Sequence, residues 1–119
     1  MESTISAADY RAIKNSAHKS RTDNNLFRKL IRKAKIIYGA GLSANTVQLN
    51  SLVILWHSIL KKIVSIRIVL PQNADLHQRK ISIFAPISMA VFGLRERASV
   101  RVQAGGVEKH LKIIKVINE

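Results

Sequence analysis

The sequence has no cysteine, only two prolines, and seven acidic residues among its 119 positions. The absence of cysteine excludes disulfides, thiolate metal sites and cysteine nucleophiles. Polar side chains dilute the uncharged stretch at residues 42–60, and its continuous apolar part is five residues long, whereas a membrane-spanning helix needs roughly 20. The N-terminus has no apolar run of the kind a secretory signal requires. We therefore expect a cytoplasmic protein that does not enter the membrane.

The residue types that catalysis uses most are scarce or scattered. The four histidines are not at metal-ligand spacing: His18, His57, His77 and His110. No two acidic residues lie close enough in sequence to predict a local carboxylate pair. The Gly105-Gly106 pair lacks the residues of a phosphate loop and predicts a turn instead. We therefore expect no enzymatic activity, no cofactor, no metal and no small-molecule substrate.

Positive charge is abundant. Twenty lysines and arginines give a formal net charge of +13, which favours polyanions or acidic protein surfaces as partners. Five of the cations fall within eight residues: Arg28, Lys29, Arg32, Lys33 and Lys35. On a helix, Arg28, Arg32 and Lys35 would share one face. The cluster is either a solvated face or a stripe that binds nucleic-acid phosphates, and no aromatic residues interleave with it to favour base stacking.

The pattern of apolar residues changes at the Gly39-Ala40-Gly41 segment. Before this segment, apolar residues recur at helical spacing. Ser6, with Asp9 three residues later, is typical of a capping box at the start of a first helix. The polar residues 18–25 predict a turn, and the apolar stripe after it predicts a second helix over residues 23–38. The simplest packing is a short antiparallel helical hairpin.

After the glycines, runs rich in valine and isoleucine predict a small antiparallel sheet. The predicted strands are residues 52–57, 62–70, 81–84, 99–102 and 108–117. Leu111, Ile113 and Ile117 would point inward from the last strand. Pro86 and Gly93 bracket a short helix over residues 86–92. The fold class is therefore α+β, with the hairpin at residues 1–41 and the sheet domain at residues 42–119.

Several segments, taken in order, resemble the GreA/GreB family of transcription factors. Residues 81–94 read ISIFAPISMAVFGL and resemble the segment that leads into the short helix of the family's FKBP-like C-terminal domain. Residues 45–53 resemble the opening of that domain, and residues 105–116 resemble its terminal strand. The short hairpin and the Phe84-Ala85-Pro86 tripeptide are most similar to the Rnk type, the regulator of nucleoside diphosphate kinase.

The resemblance implies an FKBP-like domain that docks on RNA polymerase near its secondary channel, with Phe84, Ala85 and Pro86 at the docking edge. Family members that stimulate RNA cleavage also insert a long coiled coil, whose tip holds Mg²⁺ with an Asp-x-x-Glu pair. The predicted turn here has one acid, Asp23, and one carboxylate cannot supply that pair. We therefore expect a non-catalytic transcription regulator that binds RNA polymerase.

Two other functions follow from the same sequence. The alternative to a polymerase-binding regulator is a basic nucleic-acid-binding protein that acts through the stripe at residues 28–35. A prolyl isomerase is suggested only by the FKBP-like fold. It would need an aromatic-lined apolar pocket, which the one tryptophan, two tyrosines and three phenylalanines of the chain disfavour.

Overall fold

The structure, a computed structural model, describes residues 3–39 and 41–118. The N-terminal part contains β1 (Ser3–Ser6), α1 (Ala7–Ala17), α2 (Arg21–Arg32) and β2 (Ala34–Ile37). The remainder contains β3 (Leu52–His57), β4 (Lys62–Val69), β5 (Lys80–Ser82), α3 (Pro86–Val91), β6 (Ser99–Ala104) and β7 (Val107–Ile117). This order confirms the predicted helical N-terminal part followed by a sheet with one short helix. None of the helices in these ranges is both long and apolar enough to cross a membrane.

The start of α1 is held by Ser6, as the sequence predicts. The backbone N–H of Asp9 donates to Ser6 Oγ at 3.1 Å, which satisfies one of the unpaired donors of a helix N-terminus. In a complete capping box, the side chain of Asp9 would accept from the backbone N–H of Ser6. Here Asp9 Oδ2 accepts from Leu49 N at 3.0 Å instead. The aspartate therefore ties α1 to the loop that precedes β3.

The second helix begins earlier and ends sooner than predicted. Its N-cap is Ser20, whose Oγ accepts from Asp23 N at 3.0 Å, so the turn between the helices is residues 18–20 and not 18–25. The helix ends at Arg32 and not near Tyr38, because residues 34–37 leave the helix to form β2. β2 pairs in parallel with β1, a long-range contact that the local helical spacing could not reveal.

The main sheet is mixed and not purely antiparallel. Its strand order is β5-β4-β3-β7-β6, and β5 runs parallel to β4. A parallel pair needs a crossover connection. The ten residues 70–79 supply one here, with two single turns of 3₁₀ helix, Pro71–Asn73 and Leu76–Gln78. The two α-helices provide the equivalent connection between β1 and β2. The FKBP-like description of this domain stays a prediction.

A β-bulge changes which residues of β7 point inward. Leu55 pairs with Ile113 but Ile54 pairs with Lys115, so Ile114 is an extra residue. An extra residue shifts the side-chain alternation by one position. Leu111 and Ile113 are buried as predicted, but Val116 takes the buried place that the alternation assigned to Ile117.

One cluster of buried apolar side chains joins the hairpin to the sheet. It includes Ile13 of α1, Leu30 of α2, Leu55 of β3, Val91 of α3 and Ile113 of β7. The rings of Tyr10 and Phe27 pack the two helices together, with centroids 5.5 Å apart. The predicted division at residue 41 stays a prediction, and this core runs across it.

The two parts of the chain are in direct backbone contact at Gly93. Thr4 N donates to Gly93 O at 3.0 Å, and Gly93 N donates to Val47 O at 2.9 Å. Ser3 Oγ donates to the neighbouring carbonyl, Phe92 O, at 2.9 Å. Gly93 has φ +80, and a Cβ there would collide with Ser3 Oγ and lie 2.7 Å from Thr4 O. Only glycine combines this left-handed conformation with so close a backbone approach.

We predict that Gly93→Ala lowers the free energy of unfolding by about 2–5 kcal/mol, because left-handed strain and overpacking act together. The measurement is urea denaturation followed by circular dichroism. Gly105→Ala is the matched control, because Gly105 also has a positive φ (+61) but nothing lies within 4 Å of its added Cβ. We expect strain alone there, about 1 kcal/mol. If the two variants lose the same free energy of unfolding, the close backbone approach at Gly93 does not add to the cost of the substitution.

His57 is the one histidine among the described residues that is buried, at 5% exposed. Its Nδ1 accepts from Leu60 N at 3.2 Å, and this bond requires an unprotonated Nδ1. Burial, with a smaller contribution from the positive charge of Lys109, lowers the pKa of His57 below its usual 6.5. The imidazole therefore helps to close the β3–β4 turn as a neutral group.

Lowering the pH should therefore reduce the free energy of unfolding, because His57 is neutral in the folded protein. Between its lowered native pKa and about 6.5, the unfolded chain binds the proton and the native chain does not, so stability falls as pH falls. We expect His57→Asn, which does not titrate, to flatten the pH dependence of the unfolding free energy below pH 6.5. Urea titrations of both proteins across this range make the comparison. Parallel pH profiles would show that His57 does not contribute.

Candidate docking cleft

The turn between β5 and α3 positions the tripeptide that the family resemblance singled out. Ser82 Oγ accepts from Phe84 N at 3.1 Å, and Ser82 O accepts from Ala85 N at 3.0 Å. Pro86 then opens α3, where its fixed φ suits the first helical position. Phe84 is buried at 7% exposed, whereas Pro86 is exposed. Phe84 therefore anchors the turn, and Pro86 presents an apolar surface to solvent.

The five clustered cations do not form one helical stripe. Arg28, Lys29 and Arg32 are exposed on α2, and Lys33 is the C-cap residue that follows this helix, with φ −107. Lys35 lies in β2, where it pairs with Thr4. The predicted face shared by Arg28, Arg32 and Lys35 is therefore wrong, because the helix stops before Lys35.

A cleft of about 350 Å³ lies between α2, α3 and β6 and brings the two groups of predicted residues together. Its lining residues come from both parts of the chain: Leu26, Lys29, Lys33, Phe84, Pro86, Met89, Ala90, Arg101, Val102 and Gln103. A second depression of similar volume continues from it along α3 and shares Lys33, Met89, Ala90 and Arg101. Of the predicted residues, Ala85, Arg28, Arg32 and Lys35 do not line the cleft.

The cleft has an apolar floor and a basic rim. Leu26, Met89 and Val102 supply apolar surface, and the cations are Lys29, Lys33 and Arg101. No acidic residue lines it, and none of these cations forms an ion pair within residues 3–39 and 41–118. Unpaired cations beside apolar surface favour a partner that carries negative charge next to an apolar side chain.

The end of the helical hairpin carries no pair of carboxylates. Residues 18–20, which join the helices, contain no acid, and Asp23 lies in the first turn of α2. Asp9 is at the opposite end of α1, where burial raises the pKa of its carboxyl and the hydrogen bond from Leu49 N partly opposes this shift. Across the described part of the chain, no three histidine or acidic residues come together as a metal site would require.

Several residues of the cleft are not predicted from the sequence, above all Arg101. Its only sequence signal was the alternation of β6, in which Val100 and Val102 point inward and Arg101 outward. That alternation predicts exposure, but it cannot place Arg101 beside α2. Arg101 and Lys29 are about 70 residues apart in sequence, and they come together because the hairpin docks on the sheet domain at Gly93.

A family model described as "Transcription elongation factor, GreA/GreB, C-term" matches residues 42–118. This match covers more than half of the chain, and the chain therefore belongs to the GreA/GreB family of transcription elongation factors. The membership predicted from the sequence is confirmed. The closer assignment to the Rnk type stays a prediction.

Among individual relatives, the chain is 36% identical to transcription elongation factor GreA of Rhodopseudomonas palustris (strain TIE-1). The match covers 92% of this chain and 69% of that protein. GreA of Mesorhizobium japonicum is 28% identical over the same shares of the two chains.

Solved structures share the fold at lower identity. The GreA/GreB factor of Nitrosomonas europaea matches with a TM-score of 0.74 and 21% identity, covering 99% of each chain. Gfh1 of Thermus aquaticus matches with a TM-score of 0.56 and 15% identity, covering 98% of this chain and 99% of its own. At these identities the likeness shows the fold alone.

Proposed function

We propose that this protein is a non-catalytic, Rnk-type regulator that binds RNA polymerase near its secondary channel, in the cytoplasm, through the cleft between α2, α3 and β6. Factors of the GreA/GreB family bind RNA polymerase. The observation that carries the proposal is the convergence of Lys29 and Lys33 with Phe84 and Pro86 in one cleft. The hairpin and the sheet domain would thus contact the polymerase together.

The chemistry of the cleft supports such docking. Exposed Pro86 would pack against an apolar side chain of the polymerase, while Lys29, Lys33 and Arg101 would face acidic residues around it. An apolar contact surrounded by polar contacts that exclude water is the usual anatomy of a protein interface. The surrounding charges would also speed association.

The size and composition of the hairpin support the non-catalytic part of the proposal. α1 and α2 have 11 and 12 residues, which at 1.5 Å per residue makes each about 17–18 Å long. A hairpin of this length is short for reaching a buried active site. The link at its end offers no carboxylate for a hard cation such as Mg²⁺.

A second candidate function is nucleic-acid binding through the exposed face of α2. Arg28, Lys29 and Arg32 are all exposed there, and such a cluster can displace counterions from phosphates. This function and polymerase docking share Lys29, but Arg28 and Arg32 belong only to the α2 face and Lys33 only to the cleft, so variants can separate them.

We predict that Lys29→Gln/Lys33→Gln weakens binding to core RNA polymerase by about tenfold or more, because the cleft then has two fewer positive charges to face the acidic residues of the polymerase. Surface plasmon resonance at several salt concentrations measures the affinity and both rates. Arg28→Gln/Arg32→Gln is the matched control, since it removes the same charge outside the cleft. We expect this control to change mainly the association rate.

If the Arg28→Gln/Arg32→Gln control has the larger effect, nucleic-acid binding through α2 is favoured over polymerase docking through the cleft. If the α2 face binds duplex DNA, the control variant should flatten the log–log salt dependence by about 1.8 units, because each of two phosphates that is no longer neutralised accounts for about 0.9. Polymerase affinity that is equal in the two variants would contradict docking through the cleft.

We also predict no stimulation of Mg²⁺-dependent RNA cleavage, because the hairpin lacks the carboxylates. The assay adds the protein to a stalled, backtracked elongation complex and follows the length of the RNA. A GreA protein serves as the positive control. Shortened RNA above the background of the polymerase alone would contradict the non-catalytic proposal.

A further inference from the structure

The single tryptophan of the chain lies on the solvent side of the sheet. Trp56 is 40% exposed in β3, which is the central strand of the five. Its neighbours in sequence, Leu55 and His57, are buried, and alternate residues of a strand point to opposite faces. Trp56 therefore lies on the face away from the core, where its ring is accessible.

Basic residues lie beside this ring on the neighbouring strands. Trp56 pairs with Lys112 of β7, and Lys112 pairs in turn with Ser99 of β6. Two residues along these strands, Arg101 pairs with His110. Residues paired across strands are on the same face. A depression of about 320 Å³ borders Trp56, Ser99, Arg101, His110 and Lys112, and we call this surface the Trp56 face.

The charge on the Trp56 face is positive. Lys112 and Arg101 are exposed, and neither forms an ion pair within the described ranges. The nearest acid in the pairing pattern, Glu108, lies at one side, with its Oε2 4.0 Å from His110 Nε2. An aromatic platform flanked by cations fits a ligand that carries both a flat ring and a negative charge.

We propose that the Trp56 face binds single-stranded nucleic acid, with one base stacked on the indole ring and the adjoining phosphates bound by Lys112 and Arg101. Adjacent strands are about 4.8 Å apart, so long basic side chains on β7 and β6 reach the backbone of a nucleotide stacked over β3. Exposed aromatic residues beside basic side chains are the general design of sequence-tolerant single-strand binding sites.

Other occupants fit this face less well. A duplex presents its bases stacked on one another, so it leaves no free ring for Trp56. A second copy of the chain would bring two strongly basic surfaces together, given the net charge of +13, and like charges repel. An acidic peptide would pair with the cations, but its carboxylates would not stack on the indole ring.

The Trp56 face is separate from the cleft proposed for polymerase docking, apart from Arg101, which borders both. The proposal therefore does not depend on the proposed function. Trp56 and Lys112 test the face, and Lys29 and Lys33 test the cleft.

The experiment uses the full chain and its only tryptophan as the probe. Titration with oligo(dT) or oligo(U) should quench the tryptophan fluorescence, and labelled oligonucleotides followed by anisotropy give the affinity. We expect Trp56→Ala to weaken binding by about 5- to 150-fold, the usual effect of losing one stacked base. Trp56→Phe should retain part of the affinity. Lys112→Gln should flatten the log–log salt dependence by about 0.7 units, the value for one single-strand phosphate contact.

Controls keep the outcome unambiguous. Trp56→Thr suits a β-strand, and it should show the same loss as Trp56→Ala while unfolding at the wild-type urea concentration within error. Lys19→Gln/Arg21→Gln, which removes two exposed charges at the end of the helical hairpin, should leave the quenching unchanged. The oligo(dT) and oligo(U) arms show whether DNA or RNA is preferred, and either preference supports the proposal.

Four results would overturn it. The first is that Trp56→Ala or Trp56→Thr folds and binds the oligonucleotide with unchanged affinity, and the second is that the protein binds duplex as tightly as single strands. The third is that poly-glutamate quenches the tryptophan fluorescence as much as the oligonucleotides do. The fourth is that the protein forms a concentration-dependent dimer that Trp56→Ala abolishes. The first would return Trp56 to a purely structural role as the cross-strand neighbour of Ile63.

Discussion

The close backbone crossing at Gly93 determines how the two parts of this protein are arranged. Strand β1 approaches α3 there through the bond from Thr4 N to Gly93 O, and the same glycine is bonded to Val47. The cleft depends on this crossing, because Lys29 and Lys33 come from the hairpin, while Pro86 and Arg101 come from the sheet domain. A hairpin docked at another angle would retain all of these residues but separate the cations from the apolar floor.

Much of the fold follows from local patterns. The strands β3, β4, β6 and β7 and the helix α3 have strong signals in residue type, alternation and flanking turn residues. The Gly105-Gly106 turn is a clear case, since both glycines have positive φ, as the central residues of a type I′ hairpin turn do. The strand β2 has no such signal. Residues 34–37 continue the helical spacing of α2, and only pairing with β1 some 30 residues earlier makes them a strand.

The candidate sites were less predictable than the fold, for a related reason. Composition and spacing identify Phe84, Pro86 and the basic cluster, but not which cations meet the tripeptide. For Trp56, alternation cannot tell which face of β3 is buried, because the four residues before it, 52–55, are all apolar. The register with β7, including the extra residue Ile114, decides that Lys112 lies beside the ring. Side chains from distant strands therefore define the sites, and only tertiary structure reports them.

The concentration of charge in so small a protein gives a physical reason for the two surfaces that we propose. The net charge of +13 is held within 35 × 31 × 27 Å, so at low ionic strength the whole molecule attracts any polyanion. At physiological ionic strength the Debye length is about 8 Å, well below these dimensions, and each surface then acts through its own nearest charges. Selectivity must consequently come from what lies between the cations. In the cleft this is the apolar floor beside Pro86, which favours a protein partner, and on the outer face of the sheet it is the indole of Trp56, which favours an unpaired base.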